Sequence, residues 1–213
     1  MSILNCAVVS LGEYQNDESI AAVKTKMDEH FGADTVDKRF PSYEWGRLSA
    51  AMRLITADAR SILDIGTGQG QMINALARSR RFERVAGIDV RNYCFFRNFY
   101  EGFERHIMDA EEMTFADDEF DVVLCLEVIE HQPDGKLERV LEQARRVART
   151  QLLVSVPFVE PLPLPAYHQQ RFTPSRVRSL FPDATYTLLL KEPVTRVPWL
   201  LIEERLKQLP RGA

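Results

Sequence analysis

The stretch SILDIGTGQG, residues 61 to 70, decides the reading of this chain. Ser61 to Ile65 form a short apolar run interrupted only by Asp64, as a buried parallel strand would be. Glycines then occupy positions 66, 68 and 70, just where a helical pattern begins. Glycine tolerates positive φ and lets a ligand lie against bare backbone. The amides at the start of the following helix lack intrahelical acceptors. A strand feeding a helix through such a turn marks the ligand edge of a doubly wound sheet. The dinucleotide fingerprint needs glycine or alanine three positions after its second glycine, and Gln71 stands there. No Gly-Lys-Ser/Thr follows, which excludes a P-loop.

Working outward, the chain alternates helical and strand patterns. A helix is expected through 17–30. Another spans YEWGRLSAAMRLI, with Trp45, Leu48, Met52 and Ile55 at helical spacing. QMINALARS reads as a helix, RVAGIDV, RHIMD and DVVLCLEV as strands, and KLERVLEQARRVA as an amphipathic helix. TQLLVSVP is a further strand, and Thr173-Pro174 opens a helix as N-cap and first helical residue. TYTLLL and WLLIEERL read as closing strands, the second with helix as an alternative. The proline-rich VPFVEPLPLPAYHQQ can enter neither sheet interior nor helix, and forms a long loop on the ligand side.

Composition bounds the function. The 213 residues, 45% hydrophobic, suit a single α/β domain. No run approaches the ~20 apolar residues of a membrane helix, so no membrane association is expected. The apolar start has neither a basic n-region nor a small-residue cleavage site, so a secretory signal is not expected. Cys6, Cys94 and Cys125 are scattered and odd in number, and point to a reducing cytoplasm. A net charge of −4 without a basic stripe argues against nucleic acid. Arg78, Arg80, Arg81 and Arg84 cluster where a helix should end, a position that favours cations. No His/Cys/Asp group has metal-ligand spacing, so no metal is expected.

The pattern Asp64-x-Gly66-Thr67-Gly68-x-Gly70 resembles motif I of class I S-adenosylmethionine-dependent methyltransferases, in the small-molecule, type 11-like branch. Asp89 ends AGIDV, where that family grips the ribose hydroxyls, with Val90 next to it. MDAEEMTFADDEFDVVLCLEVIEH resembles the run through the third and fourth core strands, and YHQQRFTPSRVRSLFP the segment after the fifth. The likeness covers about residues 43 to 190. Leu126 departs from it, where the branch often has serine or alanine, and residues 1 to 40 match nothing in it.

The resemblance implies a Rossmann-like, doubly wound, mostly parallel seven-stranded sheet with helices on both faces. It implies S-adenosyl-L-methionine as cofactor and S-adenosyl-L-homocysteine as product. Asp64 would order the glycine loop and meet the cofactor's amino group. Asp109 would accept from the adenine amine and the Ala110 amide would face the ring. Arg47 would meet the cofactor's carboxylate, and Glu127 would sit near its methionine end. His131, at the rim beyond the fourth core strand, and His168, on the proline-rich loop, are the candidate bases, since an imidazole can take a proton from a hydroxyl or amine. The expected organisation is one domain: a helical or lid region over 1–57 and a cofactor-binding core over 58–213, with a substrate loop at about 158–172. The expected acceptor is an oxygen, nitrogen or carbon centre of a small molecule. Methylation of a protein or rRNA, and a non-catalytic cofactor-binding domain, are the alternatives.

Overall fold

A computed structural model describes residues 6–11, 17–190 and 197–206. Parts of the expected lid region (1–5 and 12–16), the stretch 191–196, and the end of the expected core (207–213) lie outside the described residues.

The described elements are β1 (Ala7–Ser10), α1 (Glu18–Phe31), α2 (Ala33–Arg39), α3 (Ser42–Leu54), β2 (Ser61–Ile65), α4 (Gln71–Ser79), β3 (Arg84–Asp89), β4 (Glu104–Ile107), β5 (Phe120–Leu126), α5 (Lys136–Val147), β6 (Ala148–Pro157), α6 (Pro174–Leu180), β7 (Thr185–Leu190) and β8 (Trp199–Arg205). Single 3₁₀ turns cover Ala110–Glu112 and Ile129–His131. The strands form one sheet in the order β1-β7-β8-β6-β5-β2-β3-β4. Its pairings are parallel except where β8 runs antiparallel between β6 and β7. The sheet thus has one strand more than the seven expected: Ala7–Ser10 pairs parallel with Thr187–Leu190. WLLIEERL resolves as strand, not helix.

The sheet divides the apolar interior in two, and the alternation of β5 shows how. Val123 and Cys125 join a core under α5 and α6. Val122, Leu124 and Leu126 join the opposite core, under α1, α3 and α4. Side chains alternate across a strand with period two. Asp64 therefore shares its face with Ile62, toward the α1–α4 side. A strand buried on both faces has no polar side to show, which is why DVVLCL reads as unbroken apolar sequence.

Local signals set the helix ends. Asp17 accepts from the amides of Ser19 and Ile20 at the head of α1. Thr173 accepts from the Arg176 amide, with Pro174 in the first turn of α6. The arginine cluster behaves as a helix terminus: Arg78 closes α4 and Arg80 adopts φ 52 as its C-cap. Arg84 pairs with Glu104 and Glu119.

Gly87 in β3 supports the glycine loop from below. A Cβ there would lie 2.4 Å from both Thr67 Cγ2 and Ile73 Cδ1. Gly87→Ala is expected to destabilise the protein by about 1–3 kcal/mol through overpacking, measured by denaturant unfolding. Wild-type stability in that variant would show that the loop rides free of β3.

Candidate active site

The site lies where β2, β3, β5 and β6 end, around the switch point at β2, from which the chain runs outward to β3 and β4 before crossing back to β5 on the other side. Its centre is the turn after β2. The amides of Gly66 and Thr67 donate to Ile88 O at 2.9 and 3.1 Å, and the Gly68 amide donates to Asp89 Oδ2 at 2.8 Å. The turn is thus fastened to the end of β3.

The three glycines serve different ends. Gly66 (φ 77) has Val128 Cγ2 only 2.5 Å from where a Cβ would sit, and Gly70 (φ 92) is pressed by Asn74 and Phe96. Gly68 (φ 52) has only Gly66 O, at 3.8 Å. Gly68 is therefore the position where bare backbone faces open space.

Two cavities flank the turn. One, of about 630 Å³, is lined by Asp89, Val90, Met108, Asp109, Ala110 and Val128. The other, of about 730 Å³, is lined by Arg47, Asp64, Glu127, Glu130, His131, His168 and Trp199 among others. Gly66, Gly68, Tyr93, Glu127, His131 and Tyr167 line both. The fold therefore gathers Asp89, Val90, Asp109 and Ala110 on one side of Gly68, and Arg47, Asp64, Thr67 and His168 on the other. Gly70 packs into α4 and the loop carrying Phe96. Each cavity falls within the usual size of a small-ligand site, about 300–1,000 Å³.

Asp64 is 2% exposed, and its Oδ2 has no hydrogen-bond partner. Burial, with a smaller contribution from Asp89, pushes its pKa up to about 8. An orphaned carboxyl on the cavity wall fits a cationic group, as an amino-acid ammonium would supply. Asp89, 6% exposed, holds the Gly68 and Arg91 amides. Burial alone would raise Asp109. The Lys136 ammonium at 2.6 Å and the Glu111 amide outweigh it and hold that carboxyl below its ordinary range. Val90 is exposed at the mouth of the smaller cavity, an apolar surface for a planar ring. These groups fit an aminoacyl nucleoside: an unpaired acid and a buried guanidinium at one end, strand-end carboxylates and an apolar ledge at the other.

Arg47 does not face solvent: it is 7% exposed. Its Nη2 pairs with Glu44 at 2.7 Å and its Nη1 donates to Ser155 Oγ at 3.3 Å. Ser155 in turn donates to Glu127 Oε1 at 3.1 Å, and Trp199 Nε1 donates to Glu127 Oε2 at 2.8 Å. Glu127 holds φ 56, a strained conformation for a side chain other than glycine. Burial raises its pKa while Arg47 opposes the rise. Tyr43 stacks on Trp199 at 5.2 Å between centroids and also lines the larger cavity. Trp45 is core instead, its Nε1 bonded to Phe40 O.

His131 and His168 meet, with ring centroids 5.1 Å apart. The amides of Gln169 and Gln170 both donate to Glu130 O, and their side chains reach the carbonyls of His131 and Gln132. That stitching fixes the proline-rich loop over the 3₁₀ turn. His131 Nδ1 lies 2.9 Å from Tyr167 O, and His168 Nδ1 2.8 Å from Glu160 Oε2. Sequence reasoning missed Glu130, which lies in the family-like stretch CLEVIEH with no signal of its burial, and Glu160, which reads as part of the proline-rich loop. Glu130 is fully buried, and neither carboxyl oxygen has a hydrogen-bond partner. Burial and neighbouring Glu127 push its pKa well up. Burial also raises the Cys125 thiol, in keeping with a structural cysteine.

Two outcomes test this geometry. Asp64 is protonated near pH 7, and a bound ammonium favours the carboxylate. Cofactor binding therefore releases a proton below about pH 8, and affinity rises with pH up to that point, by as much as ~10-fold per unit. Calorimetry in buffers of different ionisation enthalpy measures the release, and Asp64→Asn removes it. Gly68→Val places methyls in open ligand space at a left-handed backbone, costing about 1–2 kcal/mol of stability. It should abolish S-adenosylhomocysteine binding while the protein still unfolds cooperatively. Unchanged affinity would move the ligand away from this turn.

A methyltransferase-domain family model matches residues 37–209. A ubiquinone biosynthesis O-methyltransferase of Coxiella burnetii is 31% identical over 94 residues, which are 41% of this chain and 39% of that protein. The chain thus spans about two-fifths of the length of the curated relatives it matches. Among solved structures, the N-methyltransferase NodS of Bradyrhizobium japonicum, in complex with S-adenosylhomocysteine, superposes with a TM-score of 0.63 at 16% identity, covering 90% of this chain and 100% of that one. The 1,6-didemethyltoxoflavin N1-methyltransferase of Burkholderia thailandensis superposes at 0.57 with 15% identity, covering 90% and 79%. Matched over most of its length, with the glycine turn and its flanking acids in place, the chain belongs to the methyltransferase-domain family of class I S-adenosylmethionine-dependent enzymes.

Proposed function

We propose that this chain transfers a methyl group from S-adenosylmethionine to an oxygen, nitrogen or carbon centre of a small molecule. One observation carries the choice of acceptor. The larger cavity, of about 730 Å³, is lined by the stacked pair Tyr43 and Trp199 and by Glu130, His131 and His168 as well as by Arg47 and Asp64. A cavity of that size suits a small molecule beside the cofactor better than a polymer strand. The ubiquinone biosynthesis O-methyltransferase and the 1,6-didemethyltoxoflavin N1-methyltransferase it is similar to are named for small-molecule methylation.

When bound, the sulfonium supplies an electrophilic methyl carbon and a neutral thioether leaving group. The rest of the work is alignment, which can contribute about 7–11 kcal/mol in well-oriented reactions. Asp89 and Asp109 would hold the adenosine, Asp64 the ammonium and Arg47 the carboxylate. Glu127, locked by Ser155 and Trp199, fixes the wall between the two cavities. Helix α3 and the chain before it act as the lid, through Arg39, Phe40 and Tyr43. The Tyr167 carbonyl can only accept, so His131 carries its proton on Nδ1 and keeps a lone pair on Nε2. His168 is set the same way by Glu160. Either lone pair can take a proton from the acceptor.

The decisive experiment incubates the full chain with methyl-labelled cofactor, a panel of small phenols, amines and carbon acids, and cell extract. Label is expected in small molecules. Label confined to protein or RNA would replace this reading with a macromolecular one, and cofactor binding without transfer would replace it with a non-catalytic one. With an accepted substrate in hand, His131→Ala should lower kcat by about 100-fold or more while leaving cofactor affinity near wild type.

A further inference from the structure

The proposed reaction leaves Glu130 unexplained. A fully buried carboxyl with two unpartnered oxygens costs several kcal/mol unless something compensates it. Among the described residues it forms no ion pair with an arginine or lysine. Glu130, His131 and His168 each bring a ligand atom within 4.8 Å of the other two. The two rings are tied behind as metal-binding histidines are, one Nδ1 against a backbone carbonyl and the other against a carboxylate. Such partners fix the tautomer and leave the other ring nitrogen free to ligate a cation.

We propose that Glu130, His131 and His168 form a binding site for one divalent transition-metal ion of the zinc class, at the floor of the acceptor cavity. Two imidazoles and one carboxylate suit such an ion and leave a coordination position open. The open position faces the cavity, where an acceptor heteroatom could take it. Glu160 is the positioning residue: it is 5% exposed and holds His168. The site rests on the proposed function for naming the cavity as the acceptor's, and it replaces the general-base role given there to His131 and His168, because a lone pair that ligates the ion takes no proton. In the chain His168 stands 37 positions beyond His131, so no motif spacing announces the cluster. The loop stitched over the Ile129–His131 turn assembles it.

The test uses chelator-treated full-length protein titrated with Zn²⁺ by calorimetry, and with Co²⁺ followed by its visible ligand-field absorption. One equivalent should bind. His131→Ala, His168→Ala and Glu130→Gln should each weaken binding about 100-fold or more. Glu160→Gln, which touches no cation, should weaken it about 10- to 100-fold. His30→Gln, on α1 and outside the site, should bind as wild type does. S-adenosylhomocysteine affinity in the same variants reports that each still folds. Absence of stoichiometric uptake by the wild type, or wild-type affinity in either histidine variant, overturns the site. Metal uptake needs no methyl donor, so this result and that of the transfer assay stand independently.

Discussion

The site depends on acids kept out of water without full compensation. Asp64 sits at the end of the central strand, 2% exposed, with an unpartnered oxygen. Glu130 is more deeply buried and less satisfied. Ionising such groups in a low-dielectric interior is costly, so burial raises their pKa and makes the pocket a sink for positive charge. A core chosen for stability alone would replace them with apolar residues. Their retention costs folding energy and leaves a cavity wall that discriminates ligands by charge.

The surrounding structure limits that cost. Arg47 reaches inward from α3 and is neutralised by Glu44 beside it and Glu127 across the sheet's edge. Ser155 links Arg47 to Glu127, since its hydroxyl accepts from one and donates to the other. This network fixes α3 over β6. Gln151 reinforces it further along the same face, bonding Leu54 O and the Thr56 amide. Helix α3, which carries Tyr43, is thus fastened to the sheet by the same polar groups that line the pocket.

Legibility in the sequence followed the range of the interactions. The strand-glycine-helix turn, Asp89 at the next strand end and the β5 run are local signals, and the structure places them as read. The Thr173-Pro174 helix start is local too. The eighth strand was hidden because Ala7–Ser10 is short and half exposed, and pairs with a segment about 180 positions away. Helix α2 escaped notice because its seven residues bury only Val36 and show no apolar stripe. Arg47's inward direction could not be read from helical spacing, since its partner Ser155 is 108 positions along the chain. The histidine pair was named residue by residue, but its juxtaposition required the loop hydrogen bonds to Glu130 O.

Those hydrogen bonds couple the cavity to the core. Gln169 and Gln170 bond to the backbone of Glu130, while the side chain of Glu130 points into the buried cluster. One residue thus anchors the proline-rich loop through its backbone and contributes a buried, unpartnered acid to the cavity lining. Phe172, fully buried, pairs through the backbone with Phe158 and pins both ends of the loop beside β6. A loop held at both ends and stitched in its middle presents His168 in one place. Preorganisation of this kind matters most for a group that must hold a lone pair at a fixed distance from another, because small displacements of reacting groups carry large penalties in rate. The proline-rich composition serves the same end, by reducing the freedom the loop has to lose when it closes over the turn.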